Sequence, residues 1–593
     1  MNDKHKTNKS TAALIVLFIF LMYMKTVWDP YFHPERYTQK TEQGAEGNPV
    51  VTQPVTNTGQ SAVLSTVASA KVEALAKTEV DGINNKIIEE AGTINVETDM
   101  VIAEITLLGG RLKRLELKDH KLDVSQPNIL MDLINLKEGD PLPLGLYQGT
   151  ESDELVKYEL VWEGQEAKQK DGVYVLGFSD KIKLVLRGQL PNGRQVVKTI
   201  AFNKGSYVMD VSFDVAGSSE PVKLEWTRDV PDKKEEAGRR PDGEFVWFDG
   251  TKVLRKNFAG FRKEAHGSGG VNYENLGSVT WLAMGELYFN EILISQSGTE
   301  DGEIMHDGSL FRIRLVSNTP SASYRAFAGP KQYDILKRYG SMLEKNVNLG
   351  QIGFLPSGFA TLIAAPMLML LNLFYKASGN YGVAIIALTI FVKLITFPIN
   401  ISSLKHMKIM SELQPEVKAI QERMKENKDP NALMEFYKKK GVNPMGGCLP
   451  AFIQIPFFIG LYSALYTAFE LRHAPFALWI KDLSASEALM ISGIPVPMLV
   501  VLFTVFMLVQ QWLTPSVGDP TQKKVMMVVP LFFGFILAKL PAGLTLYMLV
   551  SSIVSVAQQK VYNRTSSAKD ALVASVACSI ALICLGIIFT KLN

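Results

Sequence analysis

Cysteine is scarce in this chain of 593 residues. The three present, Cys448, Cys578 and Cys584, lie in or beside apolar runs. No disulfide framework therefore holds the polar middle of the chain, and no pair has zinc-type spacing. Excess charge is lacking too: the formal net charge of +3 is too small to point to nucleic acid. Seven histidines are scattered, with no two at metal-ligand spacing. No phosphate-cradling P-loop, HExxH or dinucleotide fingerprint occurs in a strand–helix setting. "HGSGG" at 266–270 lacks the strand–turn–helix context of a hydrolase elbow. These absences leave no cofactor implied, no metal site and no enzyme signature.

Apolar residues are abundant but unevenly placed. Lys4, Lys6 and Lys9 precede the run "TAALIVLFIFLMYM". No small-residue cleavage site follows; Trp28, Tyr31 and Phe32 suit an interfacial belt, and Lys25 can snorkel. Residues 1–28 read as a cytoplasmic N-terminus and uncleaved anchor. Residues 29–90, rich in Thr, Gln, Ser, Ala, Val and Gly, read as a flexible linker. Between 91 and 340 the pattern changes. "YVMDVSFDV", "KIKLVLR" and "FRIRLVS" alternate, while "LPNGR" at 190–194 and "NKGSY" at 203–207 mark turns. Many short strands with Gly and Asn turns predict an antiparallel β-sandwich or barrel. The anchor's orientation puts it outside the cytoplasm.

The last third of the chain holds runs apolar and long enough to cross a bilayer. "GFATLIAAPMLMLLNLFY" (358–375) and "YGVAIIALTIFVKLITFPIN" (381–400) compete. The segment 401–440 carries Lys405, Lys408, Lys418, Arg423, Lys425, Lys428 and Lys438 to Lys440, so the positive-inside rule places it in the cytoplasm. Starting from an external domain, an odd number of crossings must precede it. One of the two runs spans and the other lies along the surface. Within 401–440, Ile401, Leu404, Met407, Met410, Leu413, Val417, Ile420 and Met424 recur at helical spacing. Asp429 and Pro430 mark the start of a second helix, and together these predict a cytoplasmic helical hairpin. Further spans are expected at 445–468, 495–513, 525–540 and 543–561, the last two joined by "PAG". A final uncharged run, "ALVASVACSIALICLGIIFT" (571–590), is also long enough to span.

Lys393 stands inside the run 381–400, about 18 Å along an ideal helix from Tyr381. A lysine near the centre of a span costs ~2.5–3.5 kcal/mol. Two explanations compete: the ammonium snorkels to cytoplasmic headgroups, or water reaches it through a cavity open to the cytoplasm. Thr389 lies one turn before it on the same face. Gln454 stands inside the next span, and Gln510, Gln511, Gln558 and Gln559 add amides near other helix ends. Amides packed only against lipid are costly, so they are expected to face each other or water. His473, beside Arg472 in an external loop, reads as a surface residue, and Cys578 and Cys584 as packing residues.

Three longer stretches carry a resemblance. "VNPMGGCLPAFIQIPFFIGLY" (442–462), "ELRHAPFALWIKDLS" (470–484) and "LPAGLTLYMLVSS" (540–552) closely resemble segments of the YidC membrane-protein insertases, in the Gram-negative form with a large periplasmic domain. The resemblance is specific from 381 to 564 and weaker over the anchor and β domain. It implies a polytopic α-helical membrane protein of the bacterial inner membrane, with a five-helix insertase core at 381–564 and an N-terminal anchor. It implies a periplasmic all-β supersandwich domain at 91–340, reached through a periplasmic linker, and an interfacial amphipathic helix within 341–380. The 381–400 run is then the span. By the same resemblance Lys393 projects into a hydrophilic groove, closed externally and open to cytoplasm and lipid, lined by Thr389 and Gln454 with Tyr547 opposite. Nascent membrane proteins would be the substrates. The Sec translocon with its accessory subunits, the ribosome through the cytoplasmic loops and the lipid bilayer would be the partners.

The chain departs from the family pattern at three places. Met548 and Lys539 stand where aromatics are common, and the apolar run 571–590 replaces a basic cytoplasmic tail. That run predicts an extra crossing with an external C-terminus. The functional expectation is an insertase. The alternative is a secondary transporter using Lys393 as a substrate or proton site, but no inverted repeat or paired broken helices are evident. A sugar-active enzyme on the β domain would need a clustered acid–base pair, and none is found.

Overall fold

The computed structural model describes residues 92–591, apart from 125, 162–166, 171–172, 177–179, 231–242, 266–270, 349–356, 428–431, 442–448 and 515–519. The N-terminal anchor and linker, "HGSGG", the Asp429 and Pro430 cap, and Cys448 fall outside the described residues.

Alternating stretches become strands wherever turn chemistry closes them. Lys181–Gln189 pairs antiparallel with Gln195–Asn203, from Lys181 opposite Asn203 to Gln189 opposite Gln195. "LPNGR" makes the turn, with Gly193 at φ +81°, a left-handed conformation that glycine adopts without a Cβ clash. Val208–Val215 pairs with Gln195–Asn203 on one side and Ser321–Pro330 on the other. These strands belong to a nine-stranded sheet, and two six-stranded sheets accompany it. Among the described strands of this domain one pair is parallel, Thr93–Glu97 with Val173–Leu176. Inward side chains of all three sheets, among them Leu115, Leu184, Trp226, Trp281 and Phe311, join one apolar cluster.

The helices are α1 (Phe258–Ala265), α2 (Tyr333–Arg338), α3 (Ser357–Ser378), α4 (Tyr381–Ile395), α5 (Phe397–Glu412), α6 (Gln414–Asn427), α7 (Ala432–Lys439), α8 (Leu449–Thr467), α9 (Met498–Leu513), α10 (Pro520–Leu537), α11 (Ala542–Thr565) and α12 (Ala568–Lys591). Gly379, at φ +69°, turns the chain between α3 and α4. The Asn380 side chain then accepts from the Gly382 and Val383 amides, satisfying donors that a helix start leaves unpaired. The periodicity from Ile401 to Met424 predicts one helix, but the chain forms two. Pro398 and Pro415 each fall at the second residue of a helix, where the missing amide breaks the ladder of the preceding one. α4 and α5 therefore meet at a 63° bend, and α5 gives way to α6 at Leu413.

Among the described residues, α11 and α12 are each long and apolar enough to cross a membrane, and the bent α4–α5 pair passes as a third span. α9 is apolar but has 16 residues, about 24 Å of helix against a ~30 Å hydrocarbon core. α11 is the hub of the helical region, packing against α4, α9 and α12. Close packing at the start of α4 makes one residue critical. A Cβ on Gly382 would stand 2.0 Å from Phe476 Cδ2. Gly382→Val should therefore push the 470–484 loop away at a cost of about 1–3 kcal/mol, seen as a lower melting temperature and faster protease cleavage within that loop.

Candidate functional site

The loop between α8 and α9 fastens three helix starts together. Its Asp482 Oδ1 accepts from the His473 amide at 3.1 Å and the Ser484 amide at 2.8 Å, which fixes the loop on itself. Leu483 and Ala485 carbonyls accept from the Gly543 and Ala542 amides at the start of α11, at 2.9 and 2.7 Å. Glu487 accepts from the Leu499 amide of α9 at 2.6 Å and from Trp479 Nε1 at 2.7 Å. Asn380 Nδ2, at the start of α4, donates to the Phe476 carbonyl at 3.1 Å. Unpaired helix-end amides are thus met by loop acceptors, and the bundle is stitched shut at this end.

The same loop joins the β domain. Arg472 Nη2 donates to the Lys121 and Leu122 carbonyls at 2.8 and 3.1 Å, and its guanidinium lies over the Phe289 ring at 5.0 Å. His120 packs edge-on to Phe469 at 5.1 Å and shares a hydrogen bond with Tyr207 Oη at 3.2 Å. Burial first, and then the Arg472 charge, pull the His120 imidazole down to about 4, with Asp119 opposing and His473 adding to the effect. The folded value lies below the ordinary one near 6.5, so the unfolded chain takes up the proton more readily. Stability from the neutral ring is complete above pH 6.5 and is lost as pH falls toward 4. Acidification from pH 7 to 4.5 should cost on the order of 2 kcal/mol. His120→Phe, which keeps the stacking and cannot titrate, should flatten that part of the melting temperature against pH curve.

Below the stitched end lies a polar seam between α4 and α11. Lys393 is 4% exposed, and its Nζ donates to Ser555 Oγ at 2.7 Å. Ser555 Oγ in turn donates to the Ser551 carbonyl at 2.9 Å. A lysine ammonium has three donors, and the partner is a neutral hydroxyl rather than a carboxylate. Thr389 is fully buried, and its Oγ1 donates back to the Ile385 carbonyl at 2.7 Å. Tyr547 is buried on α11. Gln454 lies in α8, and its side chain falls outside the described ones. Lys393 is thus held by the neighbouring helix, while Thr389 bonds within its own.

The amides found on adjacent spans have separate partners. Gln558 Nε2 donates to Ser575 Oγ of α12 at 2.9 Å, and Gln559 Nε2 to Thr514 Oγ1 after α9 at 3.0 Å. His473, expected at the surface, is half-buried in the stitched loop. Ser555 and Arg472 were not singled out as site residues from the sequence. Ser551, Ser552 and Ser555 at three- to four-residue spacing in an apolar run were a signal for the first; nothing local marks the second.

A β-rich domain on a region of long apolar helices, with a lysine inside the helical core, defines a polytopic membrane protein. Residues 93–367 match the family model described as YidC periplasmic domain, and residues 373–569 that described as 60Kd inner membrane protein. The chain is 30% identical over 581 residues to the membrane protein insertase YidC of Methylobacillus flagellatus, covering 94% of this chain and 97% of that one. It is 31% identical over 578 residues to that of Geotalea daltonii, covering 94% and 99%. A crystal structure of an active YidC insertase with its first transmembrane domain resolved covers 78% of this chain and 91% of its own, at 19% identity and a TM-score of 0.35. The chain belongs to the YidC family of membrane protein insertases. It is an inner-membrane protein with a β-rich periplasmic domain.

Proposed function

We propose that insertion runs through a hydrophilic groove whose polar centre is Lys393. The observation that carries this reading is the ammonium buried in the helical core and held by the Ser555 hydroxyl. Among the described residues its charge meets a hydroxyl dipole rather than a carboxylate, so an acidic or strongly polar flank arriving from the cytoplasm has a ready counterpart. Thr389, Gln454 and Tyr547 line the path in this reading. The loop stitched across the starts of α4, α9 and α11 keeps it closed toward the periplasm. The groove shortens the dehydrated distance a polar tail must cross. The substrate's apolar segment then moves into lipid, where burial supplies the driving force. No covalent step and no nucleotide is required.

In this scheme the N-terminus and the α5–α7 region are cytoplasmic, α3 lies along the periplasmic surface, and α12 adds a crossing that leaves the C-terminus outside. The basic cytoplasmic helices suit contact with ribosomes, and cooperation with the Sec translocon extends the substrate range. Photocrosslinkers placed at Lys393 and Gln454 should capture a nascent membrane protein stalled during insertion. Probes on exposed residues of the β domain should not. Equal labelling from both sets would reject the groove.

A further inference from the structure

The family match in the helical region ends at residue 569, so nearly all of α12 lies beyond it. The helix packs against α11 and α4. Its buried residues are Ala571, Ser575, Ser579 and Gly586, small side chains on one face. Val573, Ile580 and Ile588 stand exposed on the others. Three contacts define what the small face meets. Gln558 of α11 bonds Ser575 at 2.9 Å. Ala571 clusters with Tyr562 of α11 and Leu404 of α5. A Cβ on Gly586 would stand 3.1 Å from Ile386 Cδ1 and 3.6 Å from Val383 Cγ2, both on α4. α12 therefore lies in the angle between α4 and α11.

The two helices of the α11–α12 hairpin run antiparallel, so one turn forward on α12 is one turn back on α11. Tyr562 with Ala571 and Gln558 with Ser575 set that register. The next step brings Ser579 level with Val554 and Ser555, the serine that holds Lys393. Ser579 is 4% exposed, and its hydroxyl has no hydrogen-bond partner among the described residues. A buried hydroxyl without a partner calls for an explanation, and the register puts this one at the depth of the lysine–serine pair.

We propose that α12 is a fixed wall of the insertion site. It covers the α4–α11 seam at the depth of Lys393, shields the ammonium from lipid, and offers Ser579 as a further polar group there. Small residues let its backbone approach closely, while its outer face is apolar enough for hydrocarbon. Substrate flanks then reach Lys393 only from the side away from α12. This inference rests on the reading of Lys393 as the group that receives those flanks.

The test uses the full chain in proteoliposomes, with Cys448, Cys578 and Cys584 replaced by serine. Gln558→Cys with Ser575→Cys, joined by a short thiol crosslinker, should insert acidic-tailed substrates at the uncrosslinked rate, because a wall need not move. Gly586→Leu, which wedges α12 from α4, should lower that insertion about tenfold and leave uncharged-tail substrates within about twofold. A chain ending at Ser567 should do the same. Loss of insertion on crosslinking would mean that α12 moves, and would overturn the proposal. Normal insertion by Gly586→Leu and the shortened chain, or equal loss for both substrate types, would overturn it as well. Lys393→Leu separates the two readings. If that variant inserts acidic tails normally, the groove itself fails. If it loses them while both α12 variants do not, the wall alone fails.

Discussion

Lys393→Leu is expected to cut insertion of substrates with acidic external tails by about tenfold to a hundredfold, while uncharged tails stay within about twofold. Hydrogen bonds to charged groups are worth ~1.5–3 kcal/mol, and each ~1.4 kcal/mol is a factor of ten. Among the described residues Lys393 places one hydrogen bond, on Ser555, which leaves donors that an incoming carboxylate can use. Leucine fills similar space without charge. The stability effect should have the opposite sign. A lysine within a span costs ~2.5–3.5 kcal/mol, and leucine removes that penalty, so the melting temperature should hold or rise. Lower activity with equal or greater stability distinguishes a functional group from a structural one. Lys393→Arg keeps the charge and should retain most insertion. Protease protection of the translocated tail measures each case, and equal insertion of both substrate types by Lys393→Leu would refute the mechanism.

Asp153→Ala should be among the most damaging single changes in the β domain, at about 3–5 kcal/mol. Asp153 and Lys198 are fully buried and Arg111 is 2% exposed. The Asp153 carboxylate accepts from Arg111 Nε and Nη2 at 3.1 and 2.9 Å, from Lys198 Nζ at 3.0 Å and from the Leu146 amide at 3.0 Å. Removing it leaves two cations in the core with no carboxylate between them. Burial already pulls the Lys198 ammonium down to about 8, even with Asp153 beside it. Since the unfolded lysine keeps its proton to about pH 10.4, Lys198 should make the domain more stable as pH rises from about 8 toward that value. Arg111 instead stays charged above its ordinary value: burial pulls it down most, but Asp153, Tyr147 and Glu154 together outweigh that burial. Near-ultraviolet dichroism of the full chain would follow the loss through the buried Trp226 and Trp281. A variant that melts like the parent would show that the cluster relaxes around the missing carboxylate.

Several elements were legible because their causes are local. Alternation with Gly-bearing turns is enough to predict Val208–Val215 and its neighbours as strands, since side-chain direction reverses at each residue. Pro415 also carried its message, yet the apolar periodicity across it suggested a single helix. Periodicity reports which face is apolar, not whether the amide ladder is continuous.

The sequence by itself determined that this is a membrane-embedded helical protein with a β-rich domain, that a lysine stands within an apolar run, and which family the chain joins. Those follow from hydropathy, charge asymmetry and motif. Only the tertiary structure decided what that ammonium touches. Ser555 lies 162 residues from Lys393, and the Lys121 carbonyl lies 351 residues from Arg472. Gln558 was readable as an amide in an apolar run, but its partner Ser575 depends on the register between two antiparallel helices. Helical periodicity limits which residues can face a neighbour. The choice of neighbour, and the depth at which the two meet, is made by side chains packing together across the whole bundle.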